Sequence, residues 1–545
     1  MSDTTTQPVD ASSHGMSSRS SKRLGFRRGA LVALLATTLV ITATIAAACG
    51  GSSGSTATAS PSAASAPSTL TVAISVKPAT LDPDLAYSPT DIGILHLIGG
   101  NLFELMGKGQ LTPVLAESLT VSKDGLEQTI KLKPNLKFST GAALTSADVV
   151  ATIERSLNDK GNGYPCFYTT IDSVSAPDST TVVVHLNAPY PSLKTLLAYP
   201  NFMILPASAL IPEKGKAKAG FFDSPISAGP YMLKSWGGTQ TIVMEENPNY
   251  AGPKPMIPTV TSVTIPDYSA RINQLRSGAI DIAESVPPSM VSQVKSIAGA
   301  HVVIRQQYGF FNINMNNDAP PLDNANVRRA ISLAIDRSQI AKMVLPGVSP
   351  LSGFWPQTTD GYDDTISVKP DVAEAKRLLA ATKYASGFDI TLYFQTNDQP
   401  WSPQEVAIIQ SNLAEIGINV KTVQYEQTAL LDKVLSGKYQ MALWGLYDLA
   451  NIPDGMLGYG LLQTGGINAN FSGYHSAEMD QLAQTANQST GTARTNALAD
   501  ISALFQKDMP YAILQCYFQN YGTRLADDVA WVDESGFIQV GRAKN

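Results

Sequence analysis

The residues of this chain that could do chemistry are few and scattered. Five histidines stand at positions 14, 96, 185, 301 and 475. None has the close spacing to a second ligand that a tetrahedral metal site needs, so no metal and no cofactor is expected. No His-Glu-x-x-His run occurs. One Gly-x-Ser-x-Gly match, Gly50 to Gly54, lies in a Gly/Ser tract that cannot form the strand-to-helix turn of a serine nucleophile. Ser292-Gln-Val-Lys295 has Ser-x-x-Lys spacing but lacks a Lys-Thr-Gly companion. A secreted hydrolase stays as an alternative from another class, with no catalytic residue to name.

What remains is the chemistry of binding. Trp355, Trp401, Trp444, Tyr447 and Tyr459 fall in or near loop-like stretches of the second half, and Tyr87 follows the first strand. Flat rings with a polar tip suit sugars and peptides alike; the competing reading is packing beneath loops. Leu443-Trp444-Gly-Leu-Tyr447-Asp448 adds an acid and a glycine. Gly445, without a Cβ, would let the backbone approach a ligand closely. Asp448 is a candidate site residue, against a solvated loop acid as the alternative.

The N-terminus says where such binding takes place. Lys22, Arg23, Arg27 and Arg28 precede an uncharged apolar run from Ala30 to Ala48, which ends in Ala46-Ala-Ala48 before Cys49. A charged head, an apolar middle and small residues at the cut describe a secretory signal, residues 1–48. A cysteine directly after the cut is the pattern of a bacterial lipoprotein, with Ala46 where leucine is usual. Cys49 would carry the lipid that anchors the chain to the outer face of the membrane. An uncleaved transmembrane anchor is the alternative, since about 20 residues span a bilayer. Residues 49–69, which after Cys49 are Gly, Ser, Thr, Ala and Pro without charge, read as a flexible tether. Arg27-Arg28 leaves twin-arginine export open beside the general route, and Met16 is an alternative start. Cys166 and Cys516 are left to pair or to stay as buried thiols.

Over 545 residues, 44% are hydrophobic, 15% are charged and the net charge is −6. The chain is long enough for two or three domains, and it has no basic stripe for nucleic acid.

Behind the tether, elements of both kinds alternate, so an α/β fold is expected. Leu70–Ile74, Leu126–Leu132, Thr180–Leu186, Tyr231–Ser235, Phe310–Asn316, Phe388–Phe394 and Ile418–Val423 read as strands by β-branching or period-two alternation. Ser146–Arg155, Asn326–Val344, Val372–Ala381 and Glu405–Ile416 read as amphipathic helices. Ser146 is the cap candidate of the first of these, and Asp336 caps the segment from Arg337. Arg328 is assigned to a structural ion pair rather than to a ligand.

Several collinear segments resemble family 5 of the bacterial extracellular solute-binding proteins, the dipeptide-, oligopeptide- and nickel-binding group. They are Leu81-Asp-Pro83; Leu111 to Ser118 with Ser122-Lys-Asp-Gly125; Phe138 to Val149, with Ser146 where the family has alanine; Gly229-Pro-Tyr231; Ser277-Gly-Ala-Ile-Asp281; Val327 to Asp336; Ala375 to Leu379; and Ile416-Gly-Ile418. The resemblance covers nearly everything from Leu70 onward. It implies a two-lobed periplasmic-binding-protein-like fold of type II with an additional domain inserted in the first lobe. Lobe I would take residues 70–107, 225–306 and 510–545, the inserted domain II residues 108–224, and lobe III residues 307–509. It implies capture of a peptide in the interlobe cleft by hinge closure and delivery to an ABC permease, with an oligosaccharide as the alternative ligand. A monomer is expected. In peptide binders of this kind an acid three residues after a tryptophan meets the ligand's amino terminus; the resemblance implies that role for Asp448, which here falls four after Trp444.

Overall fold

The computed structural model describes residues 67–541, apart from residues 87, 107–109, 163–167, 237–239, 358, 360, 397–398, 448–452, 462–469, 527–528 and 534–535; of residues 106, 110, 308, 447 and 458–460 it describes the backbone alone. Cys49 with its signal, the tether as far as residue 66, Tyr87, Cys166 and Asp448 therefore lie outside the described residues; Thr69, at the tether's expected end, already belongs to the first strand.

One ten-stranded mixed sheet runs through the molecule. In spatial order its strands are Tyr231–Ser235, Thr241–Glu246, Thr259–Thr264, Thr69–Ile74, Ile282–Ala283, Tyr511–Thr523, His301–Met315, Met441–Tyr447, Phe388–Phe394 and Ile418–Gln424. A separate four-stranded antiparallel sheet is formed by Ala116–Val121, Glu127–Leu132, Thr181–Leu186 and Ile171–Asp178. It falls in sequence between the first strand of the large sheet and the second.

Local chemistry explains the elements. Glu127–Leu132 buries Gln128, Ile130 and Leu132 and exposes the residues between, as period-two alternation requires. Helix Ser146–Asn158 is capped by Thr145, one residue before the cap candidate Ser146. The reason is Asp148, whose Oδ2 accepts from the Thr145 amide at 2.8 Å. Asp336 caps the helix Arg337–Met343, its Oδ1 accepting from the Gln339 amide at 2.8 Å. This cap splits the apolar run after Asn326 into two helices, Ala325–Ala334 and Arg337–Met343.

Two large apolar cores result. One joins the first strand and the four-stranded sheet to residues near the C-terminus, from Leu70 to Val540. The other gathers Phe310 to Phe518 around the helices of the second half. Among the described residues only two strands contribute long stretches to both halves of the sheet: His301–Met315 and Tyr511–Thr523, paired antiparallel. Their first-half segment pairs His301–Gln306 with Phe518–Thr523, and their second-half segment pairs Phe310–Asn314 with Tyr511–Cys516. Between these segments residues 307–309 stand opposite the single Tyr517, and a second register shift follows between Phe311 and Asn312. Unpaired residues bend and twist a strand, so the sheet changes direction where it passes from one core to the other.

Arg328 is structural, as expected, but its partners are carbonyls. It donates to Leu322, Asp508 and Met509, which closes the end of the long helix Gly491–Asp508.

Candidate functional site

The register of the large sheet locates the site. Met441–Tyr447 runs toward the bend: Met441 pairs with Met315 and Tyr447 with Gly309. Phe388–Phe394 lies parallel to it, and Ile418–Gln424 parallel to that. All three carboxyl ends in the second half therefore point at the crossing strands. In the first half, Thr69–Ile74 and Thr259–Thr264 run parallel to Ile282–Ala283. The chain leaving Ala283 continues alongside the crossing strand, with the Val286 amide donating to the Asn520 carbonyl at 2.9 Å. These carboxyl ends approach the bend from the other side. Open α/β sheets bind ligands outside the carboxyl ends of their strands, where backbone groups and loops converge. Here two such edges face each other across a two-strand bend.

The first-half edge is made by residues that sequence reading passed over. Glu284 and Ser285 follow the last strand residue. Ser285 holds a left-handed φ of 54°, a conformation that costs a non-glycine residue free energy. Arg271, buried, fixes the segment by donating to the carbonyls of Ser285, Ile265 and Pro266. Burial pushes the Glu284 carboxyl up to about 7, against the attraction of Arg271 and a bond from the Ser75 amide. An acid three residues after the Ser277-Gly-Ala-Ile-Asp281 segment is the sequence signal that could have singled it out.

The sequence candidates separate in space. Trp355 is 1% exposed and lies in the second core. Its indole Nε1 donates to the Leu498 carbonyl at 2.7 Å, and Phe354 packs edge-on at 4.5 Å. The ring's contacts are with the core. Trp401 sits at the bend, 5.7 Å from Phe311 and 5.1 Å from Phe518 between ring centres. Gly445 pairs with Phe311, and a Cβ there would stand 3.0 Å from the Phe311 ring and 3.2 Å from the Tyr517 ring. Protein rings therefore fill the space on the Cβ side of Gly445. Trp444, partly exposed, packs edge-on against Phe471 at 5.7 Å, beside Tyr393 and Tyr425 in a small core under helix Gln427–Leu435. Tyr447 ends its strand at the bend, and Tyr459 lies on helix Pro453–Gly460. Trp401, Trp444, Gly445 and Tyr447 thus belong to one edge, while Trp355 does not. Cys516 is a buried free thiol on the crossing strand, pushed up to about 11 by burial. Among the described residues no group of His, Cys, Asp and Glu is arranged to hold a metal.

Two sheet halves with facing carboxyl edges, joined by a bent pair of strands, define a hinged solute-binding protein. Residues 110–468 match the model of bacterial extracellular solute-binding proteins, family 5 Middle; the chain belongs to this family. It is similar to the probable D,D-dipeptide-binding periplasmic protein DdpA of Escherichia coli (strain K12), at 28% identity over 472 residues, 84% of this chain and 90% of the relative. It is also similar to the glutathione-binding protein GsiB of Escherichia coli O6:K15:H31 (strain 536 / UPEC), at 30% identity over 369 residues, 66% of this chain and 70% of the relative. Among solved structures, the binding protein AgaA of A. tumefaciens R10 in complex with agropinic acid superposes with a TM-score of 0.76 at 26% identity, over 87% of this chain and 99% of that one. The chain is therefore the extracytoplasmic solute-capturing component of an ABC importer, and not an enzyme.

Proposed function

We propose that the protein captures a short peptide between the two facing edges and hands it, enclosed by hinge closure, to the importer's permease. One observation carries the reading: both sets of carboxyl ends converge on the crossing strands, in a chain whose relatives are named for a D,D-dipeptide and for glutathione. Lobe I (70–107, 225–306 and 510–545), with domain II (108–224) inserted in it, closes on lobe III (307–509). Asp448 follows the strand that ends at the bend and is the acid for the peptide's ammonium group. Charged termini taken out of water require such a partner. The partly exposed Trp444 and the rings near it favour a second reading, stacking of a sugar-like ligand. The protein acts as a monomer tethered through lipid on Cys49.

A thermal-shift screen of mixed short peptides against oligosaccharides separates the two readings, because a ligand of the folded state raises the melting temperature. At a hundredfold excess over Kd the gain is about 2.7 kcal/mol. Shifts with oligosaccharides alone would overturn the peptide reading. Asp448→Ala should weaken the best peptide by about tenfold or more, as loss of a charge-assisted bond does; unchanged affinity removes its proposed role. Cys49→Ser should leave the protein in the soluble fraction of cells, and retention in membranes would contradict the anchor.

A further inference from the structure

We propose that Glu405 and Gln515 form a proton-dependent latch at the base of the hinge: neutral Glu405 closes a two-bond carboxyl–amide ring with Gln515, and the carboxylate opens it.

The geometry is that of half a ring. Gln515 Nε2 donates to Glu405 Oε1 at 2.9 Å. The other arm of each group, Glu405 Oε2 and Gln515 Oε1, is buried without a hydrogen-bond partner. Both orphans are acceptors when Glu405 is ionised. A proton on Oε2 turns one into a donor and supplies the bond that the other lacks. The residues are 0% and 1% exposed, where an unpaired polar atom is costly. Burial pushes the Glu405 carboxyl up to about 7, so both forms are reached near neutrality.

The position gives the pair its consequence. Gln515 lies on the crossing strand opposite Phe311, between the two register shifts. Glu405 lies in the first turn of helix Ser402–Ala414, one turn after Trp401. Trp401 bridges Phe311 of the second-half segment and Phe518 of the first-half segment. Helix, ring cluster and latch therefore hold the bend as a unit. A charge there is drawn toward water, which enters only if the bend loosens.

Among the described residues no neighbouring charged group competes for this titration. On the crossing strand the Cys516 thiol is raised to about 11 and Tyr511 well above its ordinary range. The buried Arg337, on the adjoining helix, is held by the Ile513 and Ser332 carbonyls. Arg328, on helix Ala325–Ala334, is spent on the 508–509 carbonyls, and Lys421 of strand Ile418–Gln424 is paired with Asp389. Glu405's own helix has its other acid, Glu415, at the far end.

Cys516, the residue after Gln515, reports opening. The full-length protein is labelled with iodoacetamide, without ligand, at about pH 6 and about pH 8, and modification of Cys516 is followed by mass spectrometry. Comparing variants at one pH cancels the thiol's own ionisation. Wild type at pH 8 should label about five- to tenfold faster than Glu405→Gln, the ratio set by one hydrogen bond, and the two should agree at pH 6. Gln515→Met, which removes the amide, should lose the pH 6 protection. An equal ratio of wild type to Glu405→Gln at both pH values overturns the latch, as does protection retained by Gln515→Met. Failure of the peptide reading leaves all of these outcomes unaffected.

Discussion

At the scale of single residues, the most informative side chain is Arg155. It is 1% exposed on the helix of the Phe138–Val149 segment. Its Nη2 donates to both oxygens of Asp82, at 2.6 and 2.7 Å. Asp84 lies 3.2 Å from Nη1 and Asp159 3.8 Å from Nη2, and Phe222 stacks on the guanidinium. The Leu81-Asp-Pro83 motif is thereby explained as a clamp between the first strand's exit and the inserted sheet's helix. Three acids exceed what one cation can balance, and burial pushes Asp84 up to about 7. The two aspartates should respond differently to substitution. Asp82→Ala leaves a buried arginine without its forked partner and should cost about 3–5 kcal/mol. Asp84→Asn removes a charge that is surplus and keeps the acceptor for the Ser156 hydroxyl, so it should raise the melting temperature at about pH 8 and do little at about pH 5. Chemical and thermal unfolding of both variants checks the pair; a loss of stability at pH 8 in Asp84→Asn would contradict it.

At the scale of elements, the crossing strands decide the behaviour of the hinge. Gly445→Ala would place a methyl within 3.0–3.2 Å of the Phe311 and Tyr517 rings. It should destabilise by about 1–3 kcal/mol, as overpacking does, and disturb closure; urea unfolding and ligand affinity test the two effects separately. The same element shows how far the sequence reaches. Tyr231–Ser235 and Phe388–Phe394 are found with the expected bounds; Phe388–Phe394 alternates in burial and keeps one regular register with Ile418–Gln424. His301–Met315 begins nine residues before the expected Phe310. Its first segment has a burial pattern without alternation, from His301 exposed to Arg305 partly buried, since it straddles a bend rather than covering one core. The site was legible only in part for a related reason. Trp401 and Trp444 reveal themselves by type. Glu284 and Ser285 reach the same region only through the pairing of Ile282–Ala283 with strands some 200 residues away in sequence, and no local pattern carries that information.

At the scale of the whole molecule, the pH dependence of stability near neutrality follows from buried acids rather than from surface ion pairs. Asp84, Glu284 and Glu405 are all raised to about 7 by burial, and Asp82 and Asp91 are raised as well. The unfolded chain titrates such groups near pH 4. Between about pH 4 and about pH 7 the folded protein therefore holds protons that the unfolded one has released, and stability falls as pH rises through this window. Carboxyls shifted the other way, Asp178 and Asp389 among them, are exposed and act only as pH falls below about 4. The stability optimum near neutrality that a protein with ordinary buried pairs would show is thus displaced toward acid. Unfolding free energy measured by denaturant should decline from about pH 5 to about pH 8, with a slope approaching about 1.4 kcal/mol per pH unit for each proton held. Glu405→Gln and Glu284→Gln should each flatten that slope by up to about one proton. A wild-type profile that is level or rises across this range would show that these carboxyls are ionised in the folded state. Their burial would then have to be balanced by interactions with water or cations.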